Sequence, residues 1–299
     1  MFIAVATHKK INFDLPAGYH PVQVNSAINE KWPNYCHDAD GESISAKNSS
    51  YSELTAMYWL WKNVSADIKG LCHYRRFFSN NKYVTSSEID YVDGKDVSGN
   101  ILHEDDVKAL MADCDIILIR PWHPYPLTET EDLKIWCYEK DINALREVIY
   151  EYQPDYAEAY ESVMSSKNIS HYNMFIAREK TFNDYSQWLF DVLAKVEERT
   201  NVESYDPQRK RLYGYLSEVL LNVYIEKHNL KPKYVKVLQP FEFAGIDDCK
   251  IPKCIKREKI QEFMIDHHLY WLFEAACACL MNRKYRQFKG MRAKMKQGA

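Results

Sequence analysis

Histidine and arginine side chains cluster where one apolar segment ends. Residues 68–78, IKGLCHYRRFF, predict a buried strand that carries His73, Tyr74, Arg75 and Arg76 out of the core. Because ligands bind at the carboxyl ends of strands in an open α/β sheet, these cations suit an anionic group such as a diphosphate. The alternative is an arginine pair that bridges carboxylates on neighbouring elements, since adjacent strand residues point to opposite faces. The spacing leaves both interpretations open.

Two pairs of aspartates offer a second chemistry, the binding of a divalent cation that bridges a diphosphate. Asp38 and Asp40 lie in a loop rich in Asp, Gly and Ser, where aspartates also form turns. Asp113 and Asp115 flank the start of the apolar segment DIILIRP, which is the wrong end of a strand for a ligand. Neither pair is specific for a metal.

Groups suited to acid–base chemistry and to sugar binding lie in the second half of the chain. Glu218 is near the start of a helix predicted over 214–229, where it is either a general base or an ordinary surface glutamate. Tyr172 and Asn173 open a predicted strand and suit either a sugar hydroxyl or backbone groups. The 22 Tyr, 12 Phe and 7 Trp also suit stacking on carbohydrate, although core packing is the default for most aromatic residues.

The elements that would position these groups alternate between strands and helices. Strands are predicted at residues 2–7, 22–27, 68–78, 115–121, 172–178 and 234–240. Helices are predicted at residues 50–63, 131–166 with a break at Pro154, 180–199 and 214–229. Ser50 and Glu53 predict a capping box at the start of the first helix, and residues 79–106 predict an exposed excursion. The alternation indicates an α/β fold with a single, mainly parallel sheet.

The net charge of −3 is distributed unevenly along the 299 residues. Residues 282–297 carry seven basic and no acidic side chains, so the rest of the chain has a net charge of −10. The apolar run at 269–281 is too short to span a bilayer but suits a helix at its surface. We therefore predict a domain over 1–250 and a helical, basic extension over 255–299 that docks on an anionic membrane. One alternative is that the basic segment is the solvated end of a helix. Another is that it contacts nucleic acid, but the net negative charge of the rest of the chain opposes this.

Several other classes of protein have no support. The composition, 46% hydrophobic with 9 Gly and 11 Pro, excludes a disordered or collagen-like chain. The sequence contains no P-loop, GxGxxG, HExxH or GxSxG motif. The eight cysteines form no CxxC pair and no secretory signal is recognised, so we expect reduced cysteines and a cytoplasmic location.

Five blocks of the sequence, in order, resemble those of one bacterial family. The blocks are VATHK, DADGESISAKNSSYSELTAMYWLWKN, IKGLCHYRRFF, YNMFIAREKTFNDYSQWLFDVL and RLYGYLSEVLLNVYI, all between residues 1 and 240. That family was long called a domain of unknown function; its members are described as polysaccharide-biosynthesis glycosyltransferases and are similar to galactofuranosyltransferases. Several blocks in the correct order make the resemblance far more specific than one motif.

The resemblance implies a nucleotide-sugar-dependent enzyme with the Rossmann-like A-type glycosyltransferase fold. It implies transfer of a hexose, galactofuranose or galactose, from a UDP-sugar with inversion. The implied acceptor is a glycan on a polyprenyl diphosphate, in capsule, exopolysaccharide or O-antigen synthesis at the inner leaflet of the cell membrane. The alternative is a non-catalytic component of an assembly complex that binds nucleotide sugars or glycans.

The resemblance also implies roles for individual residues. The residues expected around the donor are Thr7, His8, Lys9, Asp38, Asp40, Asn48, Glu53 and Tyr74. The first three are expected beside the nucleotide base and ribose. Tyr172 and Asn173 are expected to contact the donor sugar and the acceptor, and Glu218 is expected to be the catalytic base.

The chain departs from such enzymes in one respect. They usually place Asp-x-Asp after the fourth strand to hold a metal, whereas the matching strand here ends in His73, Tyr74, Arg75 and Arg76. We hypothesise that His73, Arg75 and Arg76 are catalytic, because their charge would neutralise the leaving diphosphate in place of the cation. A requirement for Mn²⁺ or Mg²⁺ is the alternative.

Overall fold

The computed structural model describes residues 1–80, 89–92, 97–121 and 128–244. The predicted extension over 255–299 lies outside the described residues, so its helical structure and its separation from a first domain stay predictions. No helix in the described ranges is both long and apolar enough to cross a membrane.

The described residues form ten strands and ten α-helices. The strands are β1 (Phe2–Thr7), β2 (Tyr19–Gln23), β3 (Cys36–His37), β4 (Ile68–His73), β5 (Phe77–Phe78), β6 (Ile89–Val92), β7 (Ile116–Ile119), β8 (Phe175–Arg178), β9 (Pro232–Val235) and β10 (Val237–Pro240). The helices are α1 (Asn48–Tyr51), α2 (Leu54–Asn63), α3 (Val97–Asn100), α4 (Glu104–Leu110), α5 (Glu129–Trp136), α6 (Glu139–Tyr152), α7 (Ala157–Ser165), α8 (Glu179–Glu197), α9 (Leu212–Lys227) and α10 (Phe241–Ala244).

A seven-stranded sheet with the order β3-β2-β1-β4-β8-β7-β9 forms the centre of the fold. Every neighbouring pair is parallel except β4 with β8 and β7 with β8. The predicted α/β class with a mainly parallel sheet is therefore confirmed, and β8 is the strand that runs against the others. Gly70 of β4 permits a close approach to β8, because a Cβ there would lie 2.9 Å from Cγ1 of Ile176.

Helices and a second sheet cover the two faces of this sheet, which explains why β1 is apolar throughout. On β1, Ala4 and Ala6 face a core formed with α2 and α5 to α9. Ile3 and Val5 face a second core formed with α3, α4 and the strands β5, β6 and β10.

The second sheet corrects the prediction of a single one. Its order is β5-β10-β6, with β10 antiparallel to β5 and parallel to β6. The strand predicted over 234–240 is therefore divided between the two sheets, and the buried Lys236 lies between its halves. The prediction of an exposed excursion over 79–106 is also wrong for residues 89–92, which form the buried strand β6. Asp90 is fully buried there and accepts a hydrogen bond of 2.7 Å from Ser79.

The helix predicted over 50–63 is two helices, because Ser52 adopts a φ of 53° between α1 and α2. The predicted capping box is absent: the hydroxyl of Ser50 donates instead to the carbonyl of Lys47 at 3.2 Å, and Glu53 makes no side-chain cap. A capping box that the sequence reading missed begins α5, where Thr128 and Glu131 bond each other's backbone N–H groups.

The other boundaries differ less from the predictions. The helical region 131–166 is divided into α5, α6 and α7, and Pro154 opens a short 3-10 turn before α7. The predicted strand 22–27 is β2, which ends at Gln23, and the predicted strand 172–178 begins only at Phe175. The strand predicted over 2–7 matches β1 residue for residue.

Candidate active site

The reversed direction of β8 brings its beginning to the edge where β1 and β4 end. Phe175, the first residue of β8, lies opposite Leu71 of β4. Just before β8, the carbonyl oxygen of Tyr172 lies 2.6 Å from Nε2 of His73. The segments that we call the ligand edge are residues 7–9, 73–76 and 171–173.

A tight turn follows β4. The backbone N–H of His73 donates to the carbonyl of Arg76, and the N–H of Arg76 donates to the carbonyl of His73, both at 3.1 Å. Tyr74 is buried, whereas Arg75 and Arg76 are half-buried. Because the chain turns here, the two arginines are not held on opposite faces of a strand.

Arg76 lies between an aromatic ring and two carboxylates. Its guanidinium carbon is 4.2 Å from the centre of the Tyr172 ring. Burial lowers the pKa of Arg76, while the charges of Glu218 and Glu53 favour its protonated form. Burial also lowers the pKa of His73, against the opposing charge of Glu53. The predicted residues His73, Arg76 and Glu218 are therefore electrostatically linked.

Basic side chains from three elements surround the turn. The ring of His8 packs edge-on against Tyr74 with 5.0 Å between centroids. Burial lowers the pKa of His8, and the charges of Lys9, Arg75 and Arg211 lower it further. The members of the basic cluster, as we call it, are Lys9, Arg75, Arg76 and Arg211.

Arg75 and Arg76 form no direct ion pair with a carboxylate of the described chain. Within the described ranges, the ion pairs of arginine involve Arg146, Arg199 and Arg209 and not Arg75 or Arg76. Direct bridging of carboxylates by the two arginines is therefore not observed, although Arg76 lies in the field of Glu53 and Glu218, and binding of an anion by the cluster stays a prediction.

The turn after β1 and the start of α9 are both held by hydroxyl groups. The hydroxyl oxygen of Thr7 accepts the backbone N–H of Lys9 at 3.1 Å, and Thr7 is 1% exposed. Arg211 donates from Nε to the hydroxyl of Ser52 at 3.1 Å. Ser52, which has a positive φ, therefore helps to position the side chain of Arg211.

Asn173 connects the ligand edge to two helices. Its Nδ2 donates to Oε1 of Glu53 at 2.7 Å and to the carbonyl of Gly214 at 3.0 Å. The hydroxyl of Ser217 donates to Oδ1 of Asn173 at 2.8 Å. Asn173 is 2% exposed and Tyr172 and Asn173 have φ values of 71° and 54°. In the described structure Asn173 is therefore a buried link, and Glu53 is its partner.

Glu218 is paired with a histidine that the sequence analysis did not single out. Nδ1 of His171 lies 3.2 Å from Oε2 of Glu218. Burial alone would lower the pKa of His171, but the hydrogen bond and charge of Glu218, with Glu129 and Asp132, raise it to about 8. His171 is therefore a cation at neutral pH, opposite three carboxylates.

The two α5 carboxylates are perturbed by their burial. Burial is the main reason that the pKa of Glu129 is raised to about 7. The charge of His171 lowers this pKa, and the charge of Asp132 raises it. Burial likewise raises the pKa of Asp132. We call Glu129, Asp132 and Glu218, together with His171, the acidic group.

The remaining predicted donor residues lie in the loop and helix before α2. Asp38 is fully buried, and its carboxylate accepts hydrogen bonds from Asn25, Ser26 and Ser45 at 2.6 to 3.0 Å. Asp40 pairs with Lys31 and His37. Asn48 donates to the carbonyl of Ser52 at 2.7 Å. The observed contacts are internal to the chain, and contact of these residues with a donor stays a prediction.

A divalent cation does not fit the end of β4. The side chains there are His73, Arg75 and Arg76, two of which are cations. No group of three His, Cys, Asp or Glu side chains in the described ranges is arranged to hold a metal. No step of the proposed chemistry is therefore assigned to a metal at this position.

Comparison with known proteins places the chain in a family. Residues 2–229 match a domain of unknown function, DUF4422, and the chain belongs to this family. The chain is also similar to a solved structure of WbbM, a bifunctional glycosyltransferase in its apo form, with 28% sequence identity and a TM-score of 0.73. The match covers 80% of this chain and 45% of that one, so the chain spans less than half the length of WbbM. No curated protein matches it.

Proposed function

We propose that this chain is a glycosyltransferase that uses a nucleotide-diphosphate sugar. The observation that carries the proposal is the placement of Arg76, which stacks on Tyr172 at 4.2 Å and lies in the field of Glu218. A cation that could bind a diphosphate and a carboxylate that could accept a proton therefore lie near the same edge of the sheet. The similarity to WbbM, itself described as a glycosyltransferase, supports the same reaction class.

In the proposed reaction Glu218 removes the proton of an acceptor hydroxyl. The acceptor oxygen then forms a bond to the anomeric carbon of the donor sugar, with inversion. The bond between that carbon and the diphosphate oxygen breaks, and its electron pair stays on the leaving diphosphate. Arg75 and Arg76 stabilise this developing negative charge, as fixed cations do in other transferases.

His171 positions the proposed base. Its hydrogen bond of 3.2 Å fixes one oxygen of Glu218, which leaves the other oxygen for the acceptor. The hydrogen bond and charge of Glu218 raise the pKa of His171 to about 8, so the protonated imidazole that donates this hydrogen bond is favoured at neutral pH.

The identity of donor and acceptor is proposed from the family resemblance. We propose UDP-galactofuranose or UDP-galactose as the donor and a polyprenyl-diphosphate-linked glycan as the acceptor. Thr7, His8 and Lys9, at the end of β1, are proposed to lie beside the nucleotide. The basic segment 282–297 is proposed to hold the enzyme at an anionic inner leaflet, because polybasic segments bind anionic lipids.

Release of UDP from UDP-galactose and from UDP-galactofuranose tests the proposal. We expect slow release by the wild-type chain without an acceptor. Glu218→Gln should reduce transfer by roughly 100-fold or more, as for loss of a general base. Glu226→Gln, at an exposed position of the same helix, is the matched control. Turnover of Glu218→Gln close to wild type, with normal folding, would remove Glu218 from the mechanism.

Two further results would change the assignment. Binding of UDP without release or transfer from any nucleotide sugar would favour the non-catalytic binding component. Complete loss of activity in EDTA, restored by Mn²⁺ or Mg²⁺, would overturn the proposal that Arg75 and Arg76 replace a cation.

A further inference from the structure

Two aromatic rings lie at the surface beside the acidic group. Trp136, the last residue of α5, stacks on Tyr215 of α9 with 5.9 Å between ring centroids and 25° between planes. Trp136 is 40% exposed, although an indole gains free energy from burial. The guanidinium of Arg211, the residue just before α9, lies 5.6 Å from the centre of the Tyr215 ring.

Helical spacing connects this ring pair to the acidic group. Asp132 lies four residues before Trp136 on α5; burial raises the pKa of Asp132, and the side chain of Trp136 acts in the opposite direction by favouring its carboxylate form. Tyr215 lies three residues before Glu218 on α9. Because residues three and four apart share a helix face, each ring is the neighbour of one carboxylate.

The surface of these four side chains has the composition of a sugar-binding site. The apolar C–H face of a hexose packs on aromatic rings, while its hydroxyls donate to carboxylates. The Trp136 indole is open to solvent, and Asp132 and Glu218 supply the carboxylate oxygens. Because Arg211 and His171 place positive charge beside the two carboxylates, the charges of this surface compensate one another, and a neutral hexose ring is favoured.

We propose that Trp136 and Tyr215 form an acceptor subsite, on which the neutral hexose ring of the acceptor stacks beside Glu218. This inference rests on the proposed function. The donor diphosphate is assigned to Lys9, Arg75 and Arg76 of the basic cluster, whereas the ring pair lies on α5 and α9, with Arg211 between the two sets in the chain of contacts. Stacking at Trp136 would hold an acceptor hydroxyl beside the proposed base.

Saturation-transfer NMR with the full chain tests the subsite directly. The probes are the methyl glycosides of galactose, glucose, mannose and rhamnose. We expect transfer to the ring protons of at least one probe in the wild type, with the affinity reduced on the order of 10-fold in Trp136→Ala and less in Trp136→Phe. Tyr152→Ala, at another exposed aromatic position, should bind as the wild type does. Absence of transfer from all four probes, or equal transfer in Trp136→Ala, would overturn the subsite.

Donor measurements separate this failure from failure of the proposed function. UDP binding, followed by thermal shift, and UDP release without an acceptor are measured on the wild type and on Tyr152→Ala, in which both should be unchanged. If the wild type releases UDP but Trp136→Ala has the wild-type KM for a glycan acceptor, the subsite is wrong and the transferase stands. If the wild type neither binds UDP nor releases it, the proposed function itself is wrong.

Discussion

Replacement of Glu129 by glutamine should stabilise the protein at alkaline pH and leave its stability unchanged at acidic pH. Glu129 is 6% exposed, at the first turn of α5. The titratable groups that face it are His171, Asp132 and Glu218. Burial is the main reason that its pKa is raised from 4.5 to about 7, so the folded protein binds this proton more tightly than the unfolded chain does.

The magnitude follows from the two pKa values. A group whose pKa is raised on folding contributes stability that is fully present below pH 4.5 and is lost as the pH rises through 7. A pKa difference of roughly 2.5 corresponds to about 3 kcal/mol. A carboxylate at a helix N-terminus is favourable by about 0.5 kcal/mol, which the variant loses. Glu129→Gln should therefore gain about 2 kcal/mol at pH 8.

Urea unfolding at pH 5, 6, 7 and 8 measures this difference. The gain of Glu129→Gln over the wild type should be below about 1 kcal/mol at pH 5 and should increase until pH 7, with a rise in Tm of about 5 °C at pH 8. Glu158→Gln, at an exposed position of α7, should show no such trend. A difference between Glu129→Gln and the wild type that is the same at pH 5 and pH 8 would refute a raised pKa at Glu129.

Three other perturbations have expected outcomes. Gly70→Ala should lower the free energy of unfolding by roughly 2 kcal/mol, because its Cβ would lie 2.9 Å from Ile176. Gly99→Ala, whose Cβ would meet nothing within 4 Å, is the control. Equal stability of the two variants would contradict this prediction. Asn173→Ala should cost about 3 kcal/mol in urea, because it leaves buried polar partners unpaired and places alanine at a φ of 54°; wild-type stability would refute this. Deletion of residues 265–299 should abolish cosedimentation of the protein with anionic liposomes, with neutral liposomes as the control for the effect of lipid charge. Unchanged sedimentation with anionic liposomes would disprove docking.

The sequence predicts those elements whose apolar pattern is continuous. β1 and β7 are buried on both faces, so their runs of apolar residues mark them with nearly correct limits. The strand predicted over 172–178 begins late because Tyr172 and Asn173 adopt a left-handed backbone, which a tyrosine rarely does. The second sheet could not be foreseen, since β5 has only two residues and β10 continues directly from the segment of β9.

The candidate site was predictable where its residues are adjacent in sequence. His73 to Arg76 stand out as a cluster, and the turn that frees the arginines from strand geometry is a backbone feature without a sequence signature. His171, Glu129 and Asp132 were missed because their meeting point depends on the packing of α5 against α9. Their available signal was weak: an i, i+3 acidic pair and a histidine next to Tyr172.

The position of β8 also governs how the chain is made. In the described structure, β8 joins β4 to β7, and the first half of the sheet has no other hydrogen-bonded connection to β7 and β9. The contact between His73 and Tyr172 spans 99 residues. During synthesis, therefore, β4 leaves the ribosome with an unpaired, apolar edge that is covered only after residue 178 has emerged. During that interval the unpaired edge of β4 is open to aberrant strand pairing, and a chaperone that protects it would have to act before β8 arrives.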